Sequence, residues 1–425
     1  MKILITNTVA LNVGDAAILL SLIKILKISF GDEISITIYD SQADIAKKYY
    51  PDLEFRQLIY FQTLNTIKIK RPYQIIRFIN RLRIQVGSWL WFHSHQWFAE
   101  IALTEKELIT LKDYNSADLI ISTGGTYLVE NYFLAPRILD YKISIWANKP
   151  LIFFTQSMGP FKKASNQRLF KYIFNYSSLI LLRDNQSFQN LNKIEVTKKQ
   201  IHVMPDSAFL FANNYIECLN HKDFNNISDI KIAISVRSWS HFKNIDPKIG
   251  QQKYIDSLRE LIIHLVDKYK ATITFISTCQ GIPEYHLDDS KTALEITKNL
   301  PERIIEHVTV DKDFHTPEQI VEILKDYDIV IATRMHMAIL ALSSGTPVLP
   351  IAYEFKTTEL FKKLKMEEWT IDIEEIRSEL LIPKLDNFIE NLSNISENIL
   401  PALKQEYSQL LEIKEILRNN KSSAK

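Results

Sequence analysis

Short runs of β-branched and aliphatic residues alternate with longer helical patterns along most of this 425-residue chain. The runs predict strands at 2–7, 34–39, 118–122, 151–155, 178–182, 201–204, 231–236, 272–277, 328–333 and 347–351. Helical patterns separate them, among others at 16–26, 252–269, 316–326, 335–343 and 357–365. Strands that alternate with helices in this way are typical of parallel sheets covered by helices. We therefore predict an α/β protein with parallel sheets.

The alternation divides into two modules, which we predict to be separate domains at 1–215 and 230–373. The polar stretch 213–229 joins them, and 374–425 is expected to be helical with a frayed polar tail. Ligands of open parallel sheets bind beyond the carboxyl ends of the strands. We therefore expect a ligand cleft between the strand ends of the two domains.

Residues 56–104 do not fit the alternation and are predicted to be a helical, aromatic insertion in the first domain. Their basic residues precede the aromatic run WLWFHSHQWF at 89–98 and are Lys68, Lys70, Arg71, Arg77, Arg81 and Arg83. Basic residues beside a tryptophan-rich cluster suit a peripheral membrane contact through 68–98. The alternative, which we favour from the sequence alone, is that these aromatic side chains pack on the body of the domain.

Charge and composition limit the partners. The chain has 51 lysines and arginines against 50 aspartates and glutamates, a formal net charge of +1, so we expect no nucleic-acid partner. No run of about 18 apolar residues is present, and the two cysteines cannot form a disulfide framework. We expect a cytoplasmic protein, with contact to the inner face of the membrane if the segment 68–98 binds lipid. The ten histidines form no HExxH motif, and we expect no metal site.

Glycine is scarce, with nine in 425 residues, and five of the nine fall in strand-to-helix turns: Gly14, Gly124, Gly125, Gly159 and Gly345. In the first turn, Asn12, Gly14 and Asp15 precede a helix whose free N–H groups could bind an anion or a hydroxyl. Asp15 could orient a sugar hydroxyl or take its proton, or could simply cap the helix. From spacing alone the capping role is favoured.

Three further strand exits, at 154–161, 181–188 and 203–210, outline the rim of a pocket in the first module. Gly124 and Gly125 end a strand without the GxGxxG pattern of dinucleotide sites, so they either admit a ligand or make a tight turn. Asp184 most simply caps the helix that follows it. Asp206, near the crossing between the domains, could face the cleft.

The strongest signals lie in the second module. Arg237 ends its first strand, and a charge there needs an anionic partner, either a ligand or a structural carboxylate. Arg334 and His336 open an apolar helix after the strand at 328–333, an arrangement that suits a phosphate. His336 can also exchange a proton near neutral pH. Lys356 follows the next strand, and its side chain could reach the same cleft as Arg334 and His336.

Seven ordered elements resemble those of the polysaccharide pyruvyl transferase family. They are NVGDAAI (12–18), TGG (123–125), QSMGP (156–160), RDNQS (183–187), PDSA (205–208), SVR (235–237) and TRMHMAILALSSGTPVLPIAYEFK (333–356). The resemblance implies two Rossmann-like domains in a GT-B-like arrangement. It also implies transfer of pyruvate from phosphoenolpyruvate (PEP) onto a sugar as a ketal, with PEP as the donor substrate and no cofactor.

The resemblance also implies roles for single residues. Arg334 and Arg237 would hold the phosphate and carboxylate of PEP, Lys356 would add positive charge, and His336 would act as acid/base or phosphate partner. Asp15 would lie on the acceptor side as a candidate base, near the other expected acceptor residues Asn12, Gly14, Gly124, Gly125 and Asp206. The acceptor would be a glycan or a lipid-linked oligosaccharide.

Two other functions remain open from the sequence. A GT-B nucleotide-sugar glycosyltransferase is the nearest, because Glu359 and Glu367 have the spacing of its paired glutamates. They lack the glycine-rich turn of that element, however. A non-catalytic binding protein of a glycan-assembly complex is the other, although such a protein would not need the Arg334-x-His336 motif.

Overall fold

The computed structural model describes residues 1–62, 73–197, 200–214 and 229–423. Contacts divide the chain into two compact units, each built on a parallel sheet. Unit 1 comprises Met1–Leu11, Ile18–Ser207 and Leu411–Lys425, and unit 2 comprises Asn12–Ala17 and Ala208–Leu410. This confirms the predicted α/β class.

Eight strands form the sheet of unit 1 within the described residues: β1 (Lys2–Thr8), β2 (Ser35–Asp40), β3 (Phe55–Gln57), β4 (Leu119–Ser122), β5 (Gly125–Leu128), β6 (Leu151–Met158), β7 (Leu179–Leu182) and β8 (Ile201–Val203). Their order is β3-β2-β1-β4-β6-β7-β8, with β5 paired to β6 off this path, and every pairing is parallel. β4, β6 and β7 are buried along their whole length because helices cover both faces of the sheet.

The first nine helices run between these strands. They are α1 (Val13–Phe30), α2 (Ala43–Tyr49), α3 (Ile59–Gln62), α4 (Tyr73–Phe92), α5 (Gln96–Ala102), α6 (Glu105–Ser116), α7 (Ala135–Trp146), α8 (Ala164–Tyr176) and α9 (Asn185–Lys193). A 3-10 helix follows at Ser207–Asn214.

Six described strands form the sheet of unit 2: β9 (Lys231–Ser235), β10 (Thr272–Phe275), β11 (Val308–Val310), β12 (Ile329–Ala332), β13 (Val348–Ala352) and β14 (Ile371–Asp372). Their order is β11-β10-β9-β12-β13-β14, again with parallel pairing throughout. The remaining helices are α10 (Pro247–Tyr269), α11 (Ser290–Thr297), α12 (Glu302–Ile305), α13 (Pro317–Leu324), α14 (Met335–Ser344), α15 (Phe355–Lys363), α16 (Ser378–Glu390) and α17 (Leu392–Ser423), with a 3-10 turn at Glu367–Trp369.

The unit boundaries differ from the predicted 1–215, 230–373 and 374–425 in two places. Residues 12–17, the start of α1 and the residue before it, group with unit 2, where the Val13 N–H donates to the Thr278 carbonyl over 3.1 Å. The C-terminal helices do not form a third region. Glu406 pairs with Lys363 of unit 2, whereas Arg418 further along α17 donates to the Ser29 carbonyl of unit 1.

After the end of β3 at Gln57, the described part of the segment 56–104 is mainly helical, as predicted, but its aromatic residues pack only in part. Trp91 is buried, whereas Trp97 and Phe98 are 65% and 56% exposed. Lys68, Lys70 and Arg71 lie outside the described residues. Arg83 has a structural role, because its guanidinium donates to both carboxylate oxygens of the fully buried Glu107.

Candidate functional site

The carboxyl edge of the second sheet brings four segments side by side. β10, β9, β12 and β13 are consecutive neighbours in the sheet, and a polar or charged residue follows each of them within two positions. Because all four strands are parallel, the residues that follow them lie along one edge. Arg237, Ser277, Arg334 and Tyr353 follow the four strands and all belong to unit 2.

Arg334 is buried and held by a carboxylate that the sequence did not indicate. Its Nε donates to Asp289 Oδ2 over 2.8 Å, and its Nη2 donates to Asp289 Oδ1 over 2.6 Å. Ser277 Oγ donates to the same Asp289 Oδ2 over 2.6 Å. This paired geometry fixes the guanidinium plane, and within the described residues Nη1 makes no hydrogen bond and remains available to a ligand.

Arg237 lies against two aromatic rings. Its Cζ is 4.1 Å from the ring centre of Tyr353 and 4.9 Å from that of Trp239. Stacking on ring faces orients a guanidinium without using its N–H groups. Nε of Arg237 donates to the Ser238 carbonyl oxygen over 3.3 Å, and within the described residues its two Nη groups stay available for hydrogen bonds to an anion. The Tyr254 hydroxyl, 2.7 Å from Thr333 Oγ1, also bonds the Arg237 backbone and joins the ends of β9 and β12.

His336 lies in the first turn of α14 and contacts Gly14 in the first turn of α1. A Cβ added to Gly14 would come within 2.6 Å of both Cβ and Cγ of His336, so only glycine fits there. Asn12 is the cap of α1, since its Oδ1 accepts the Gly14 N–H over 3.0 Å. Asp15 is therefore not the capping residue, in contrast to the role favoured from spacing. Residues 12–17 belong to the same unit as His336.

Asp15 and Cys279 complete this surrounding. Burial raises the pKa of the Cys279 thiol to about 12, and the Asp289 and Asp15 carboxylates contribute to the rise. Asp15 thus lies close enough to Cys279, beside Arg334, to raise the pKa of its thiol. A thiol that stays protonated in this way is a poor nucleophile, so covalent catalysis by Cys279 is disfavoured.

Lys356 forms an ion pair with Glu354 at 2.8 Å, beyond the end of β13. Glu359 and Glu367, the pair with glycosyltransferase-like spacing, are both exposed, and Glu367 pairs with Lys362 at 3.9 Å. The pair therefore belongs to a solvated surface, as the missing glycine-rich turn suggested.

Packing explains Gly124 and Gly125 in unit 1 without a ligand. A Cβ on Gly124 would lie 2.8 Å from the Phe154 carbonyl oxygen and 2.7 Å from Thr155 Oγ1. Gly125 has φ of +143°, and a Cβ there would overlap the Tyr127 ring. Of the two alternatives left open by the sequence, the structure favours the tight turn.

Asp206 is committed to a buried ion pair. Its Oδ2 accepts from Arg183 Nη1 over 2.6 Å, and the side chains of Asp206 and Arg183 are 6% and 5% exposed. Arg183 also donates to Ser157 and Thr126. These bonds give Asp206 a structural role in place of the expected ligand contact. Asp184 caps α9 by accepting the Ser187 N–H over 2.6 Å, as predicted.

Asp289, Trp239 and Tyr353 are the site residues that sequence reasoning missed. Asp289 is 45 positions before Arg334, in a loop without motif or periodicity, so only the fold reveals the pair. Tyr353 lies inside the recognised 333–356 element and could have been found from its place after a strand. Across the described ranges, no group of three or more His, Cys, Asp or Glu is placed to hold a metal ion.

Comparison with known proteins adds a family and a fold. The profile of one family, described as polysaccharide pyruvyl transferase, matches residues 12–354. The amylovoran biosynthesis protein AmsJ of Erwinia amylovora is 27% identical over 303 residues, which cover 70% of each chain.

Solved structures with similar folds include Anabaena Alr3699/HepE in complex with UDP-glucose, at TM-score 0.56 and 13% identity, covering 100% of both chains. UDP-GlcNAc 2-epimerase from Neisseria meningitidis matches at TM-score 0.56 and 13% identity over 99% of both chains. Sucrose-phosphate synthase from Thermosynechococcus elongatus matches at TM-score 0.56 and 10% identity over 100% of both. At these identities the similarity shows the fold alone, two parallel-sheet α/β domains of GT-B type.

Proposed function

Because the chain belongs to the polysaccharide pyruvyl transferase family, we propose that it transfers pyruvate from PEP onto a glycan as a ketal. The observation that carries the proposal is the cluster of Arg237, Arg334 and His336 along one sheet edge in a chain of nearly zero net charge. A local group of cations suits a small, highly charged donor better than a polyanion.

PEP carries a phosphate and a carboxylate, and the two arginines match them. Arg334 Nη1 and the first N–H groups of α14 would bind one anion, with the positive end of the helix adding to the attraction. Arg237, oriented by Tyr353 and Trp239, would bind the other. Lys356 would contribute charge beside them once its ion pair with Glu354 opens.

The transfer requires two hydroxyl groups of the acceptor. Protonation of the PEP methylene carbon makes C2 electrophilic, one hydroxyl oxygen bonds to C2, and the C2–O bond to phosphate breaks. The second hydroxyl then closes the ketal on C2. Of the two hydroxyl protons, one replaces the proton delivered to carbon and the other ends on phosphate, so the step needs no cofactor.

His336 is the candidate acid that protonates the methylene carbon or stabilises the departing phosphate. Asp15 is the candidate base for the attacking hydroxyl. It follows Gly14, which contacts His336, so acid and base would approach PEP from neighbouring elements of unit 2.

The proposal is tested by PEP-dependent phosphate release with a panel of acceptor glycans. Release should require an acceptor and fall by at least about 100-fold in Arg334→Ala and in His336→Ala, as expected when an interaction with the reacting groups is lost. His307→Ala is the matched control, because His307 is exposed just before β11, at the opposite edge of the same sheet.

Two results would contradict the proposal. One is the absence of PEP binding by calorimetry, which would favour a nucleotide-sugar enzyme and call for labelled UDP-sugar turnover. The other is phosphate release that proceeds equally in His336→Ala and wild type.

We further propose that the acceptor is lipid-linked and that α4 and α5 contact the membrane surface. α4 buries Ile84, Ser88 and Trp91 on one face. The opposite face exposes an apolar row at helical spacing: Ile79, Leu82, Val86 and Trp89. The described part of the chain contains no helix with the length and hydropathy to cross a bilayer.

Further large apolar side chains are exposed on the same two helices, which contact each other: Phe78 of α4 by 65%, and Trp97 and Ile101 of α5 by 65% and 68%. A contiguous exposed patch of large apolar side chains marks an interaction site. α4 contains arginines but no aspartate or glutamate, which favours an anionic lipid surface over a protein partner.

Sedimentation with vesicles of phosphatidylcholine and phosphatidylglycerol in equal parts tests the contact. Wild type should co-sediment, less so at high salt, and Phe78→Ser/Trp97→Ser/Ile101→Ser should remain in solution with unchanged activity on a soluble acceptor. A control triple variant replaces exposed apolar residues outside the patch, Tyr172, Ile249 and Leu294, with serine. Wild type that does not co-sediment would rule out the membrane contact.

A further inference from the structure

A groove in unit 2 lies between the end of α15 and the junction of α16 with α17, with a cavity volume of about 390 Å³. This volume is within the range of about 300–1,000 Å³ that ligand sites occupy. Its floor is apolar and buried: Leu364, Met366, Trp369, Ile395 and Ile399. Its rim is polar: Lys365, Glu368, Asn387, Asn391, Asn394 and Asn398.

Four of the rim residues are asparagines. Asn387 and Asn391 lie four positions apart at the end of α16, and Asn394 and Asn398 lie four positions apart on one face of α17. Two of them have a structural role, since Asn391 Nδ2 donates to the backbone oxygen and Oδ1 of Asn387 at the end of α16. Asn394 and Asn398 are exposed, and their side chains make no hydrogen bond in the part of the chain that is described. Asparagine is a poor helix former, so helix stability does not explain them.

The chemistry of the groove identifies the class of ligand. Each amide offers two donors and an acceptor oxygen, which matches hydroxyl groups that both donate and accept. Lys365 and Glu368 oppose each other in charge, so the groove has no preference for an anion or a cation. The apolar floor suits the C–H faces of a sugar ring, as in ligand sites that combine apolar walls with a few polar groups.

The groove is separate from the Arg334 cluster. Trp369 precedes β14, and α15 returns from the end of β13, so the groove lies at the amino edge of the sheet whose carboxyl edge carries Arg334. We propose that this groove is a second saccharide site, which binds an uncharged stretch of glycan away from the reacting sugar. Only the identity of the glycan rests on the proposed pyruvyl transfer, and the binding itself does not.

Calorimetric titration with cellotetraose, maltotetraose and β-1,4-galactotetraose, without PEP, tests the site. Wild type should bind at least one of the three, and Asn394→Ala/Asn398→Ala should bind it at least about tenfold more weakly. Alanine favours the helix, so loss of folding cannot account for the loss of binding. Glu397→Ala, on the same turn but outside the groove lining, is the control and should bind as wild type does.

The double variant should keep full PEP-dependent phosphate release with a short acceptor. If pyruvyl transfer fails, the binding of tetrasaccharides measured without PEP is unaffected. If tetrasaccharide binding fails, the proposed pyruvyl transfer is likewise unaffected. Binding of none of the three tetrasaccharides, or equal binding by wild type and the double variant, would overturn the proposal.

Discussion

Gly14 sets the position of His336, and this contact gives a test at the scale of one residue. Gly14→Ala would push the imidazole away from its place, because the added Cβ overlaps Cβ and Cγ of His336. A displacement near 1 Å can cost about 100-fold in rate. We expect kcat/KM to fall by about that factor while urea denaturation shows a folded protein.

Gly31→Ala is the control for that variant. Gly31 has φ of +90° and nothing within 4 Å of an added Cβ. Alanine should lower stability there by about 1 kcal/mol through backbone strain and leave the rate unchanged. A Gly14→Ala enzyme with wild-type kcat/KM would contradict the role given to His336.

Asp140 makes the stability of the protein depend on pH. Burial raises the pKa of its carboxyl to about 7, although Thr6 Oγ1 donates to it over 2.6 Å. Because the folded pKa is above the unfolded value of 3.8, the native state binds the proton more tightly. Its contribution is complete below pH 3.8 and is lost as the pH rises to about 7.

Asp140→Asn should therefore gain stability relative to wild type as the pH rises from 4 to 8, by on the order of a few kcal/mol. Urea midpoints at several pH values measure the difference. Asp52→Asn, at an exposed position, should follow the wild-type profile. A constant difference between Asp140→Asn and wild type would show that Asp140 does not titrate in this range.

Sequence reasoning reached some residues of the site and missed others for a physical reason. Arg237, Arg334 and His336 follow predicted strands, and parallel strands must present their carboxyl ends together. Asp289 does not follow a strand, and its bond to Arg334 depends on how a long loop folds back. Asp206 seemed available because its partner Arg183 lies in a separate motif.

At the scale of elements, one buried ion pair fastens α4 to α6. Glu107 belongs to the capping box of α6, where its Oε2 accepts the Thr104 N–H over 2.8 Å, and it also binds Arg83 of α4. Arg83→Ala would remove the guanidinium that binds both carboxylate oxygens of the fully buried Glu107. We expect a loss of about 3 kcal/mol, measured as a lower urea midpoint.

Arg81→Ala is the matched control on the same helix. Arg81 is exposed, and its Cζ lies 5.9 Å from the centre of the Tyr60 ring, so its loss should cost less than about 1 kcal/mol. Equal midpoints for the two variants would mean that the ion pair does not hold α4 in place.

Elements were predictable in proportion to their length and apolar content. All ten strands predicted from apolar runs are present, and α10 and α14 lie where their periodicity indicated. β3, β5, β11 and β14, with two to four residues each, were missed, although β8 is as short as β3 and was predicted from its apolar run. They exist because neighbouring strands offer free edges, a tertiary effect that a local pattern cannot reveal.

At the scale of the whole molecule, we propose that the donor binds at one sheet edge of unit 2 and that lipid and glycan bind at separate surfaces. Net charge and strand order led to the proposed donor site: in a chain of net charge +1, an anionic donor must be held by a local cluster of cations, and the strand ends bring such residues together. The surfaces on α4, α5, α16 and α17 emerged only from side-chain exposure and from the groove between elements.

Pyruvyl transfer is the central claim, and carbon-13 NMR tests it most directly. PEP labelled at C2 is incubated with the enzyme and an acceptor glycan, and the glycan is then purified and its spectrum recorded. Pyruvyl transfer predicts that the label becomes a ketal carbon bonded to two sugar oxygens, and that His336→Ala yields none. Recovery of the label only as PEP or free pyruvate, with every acceptor of the panel unmodified, would contradict it.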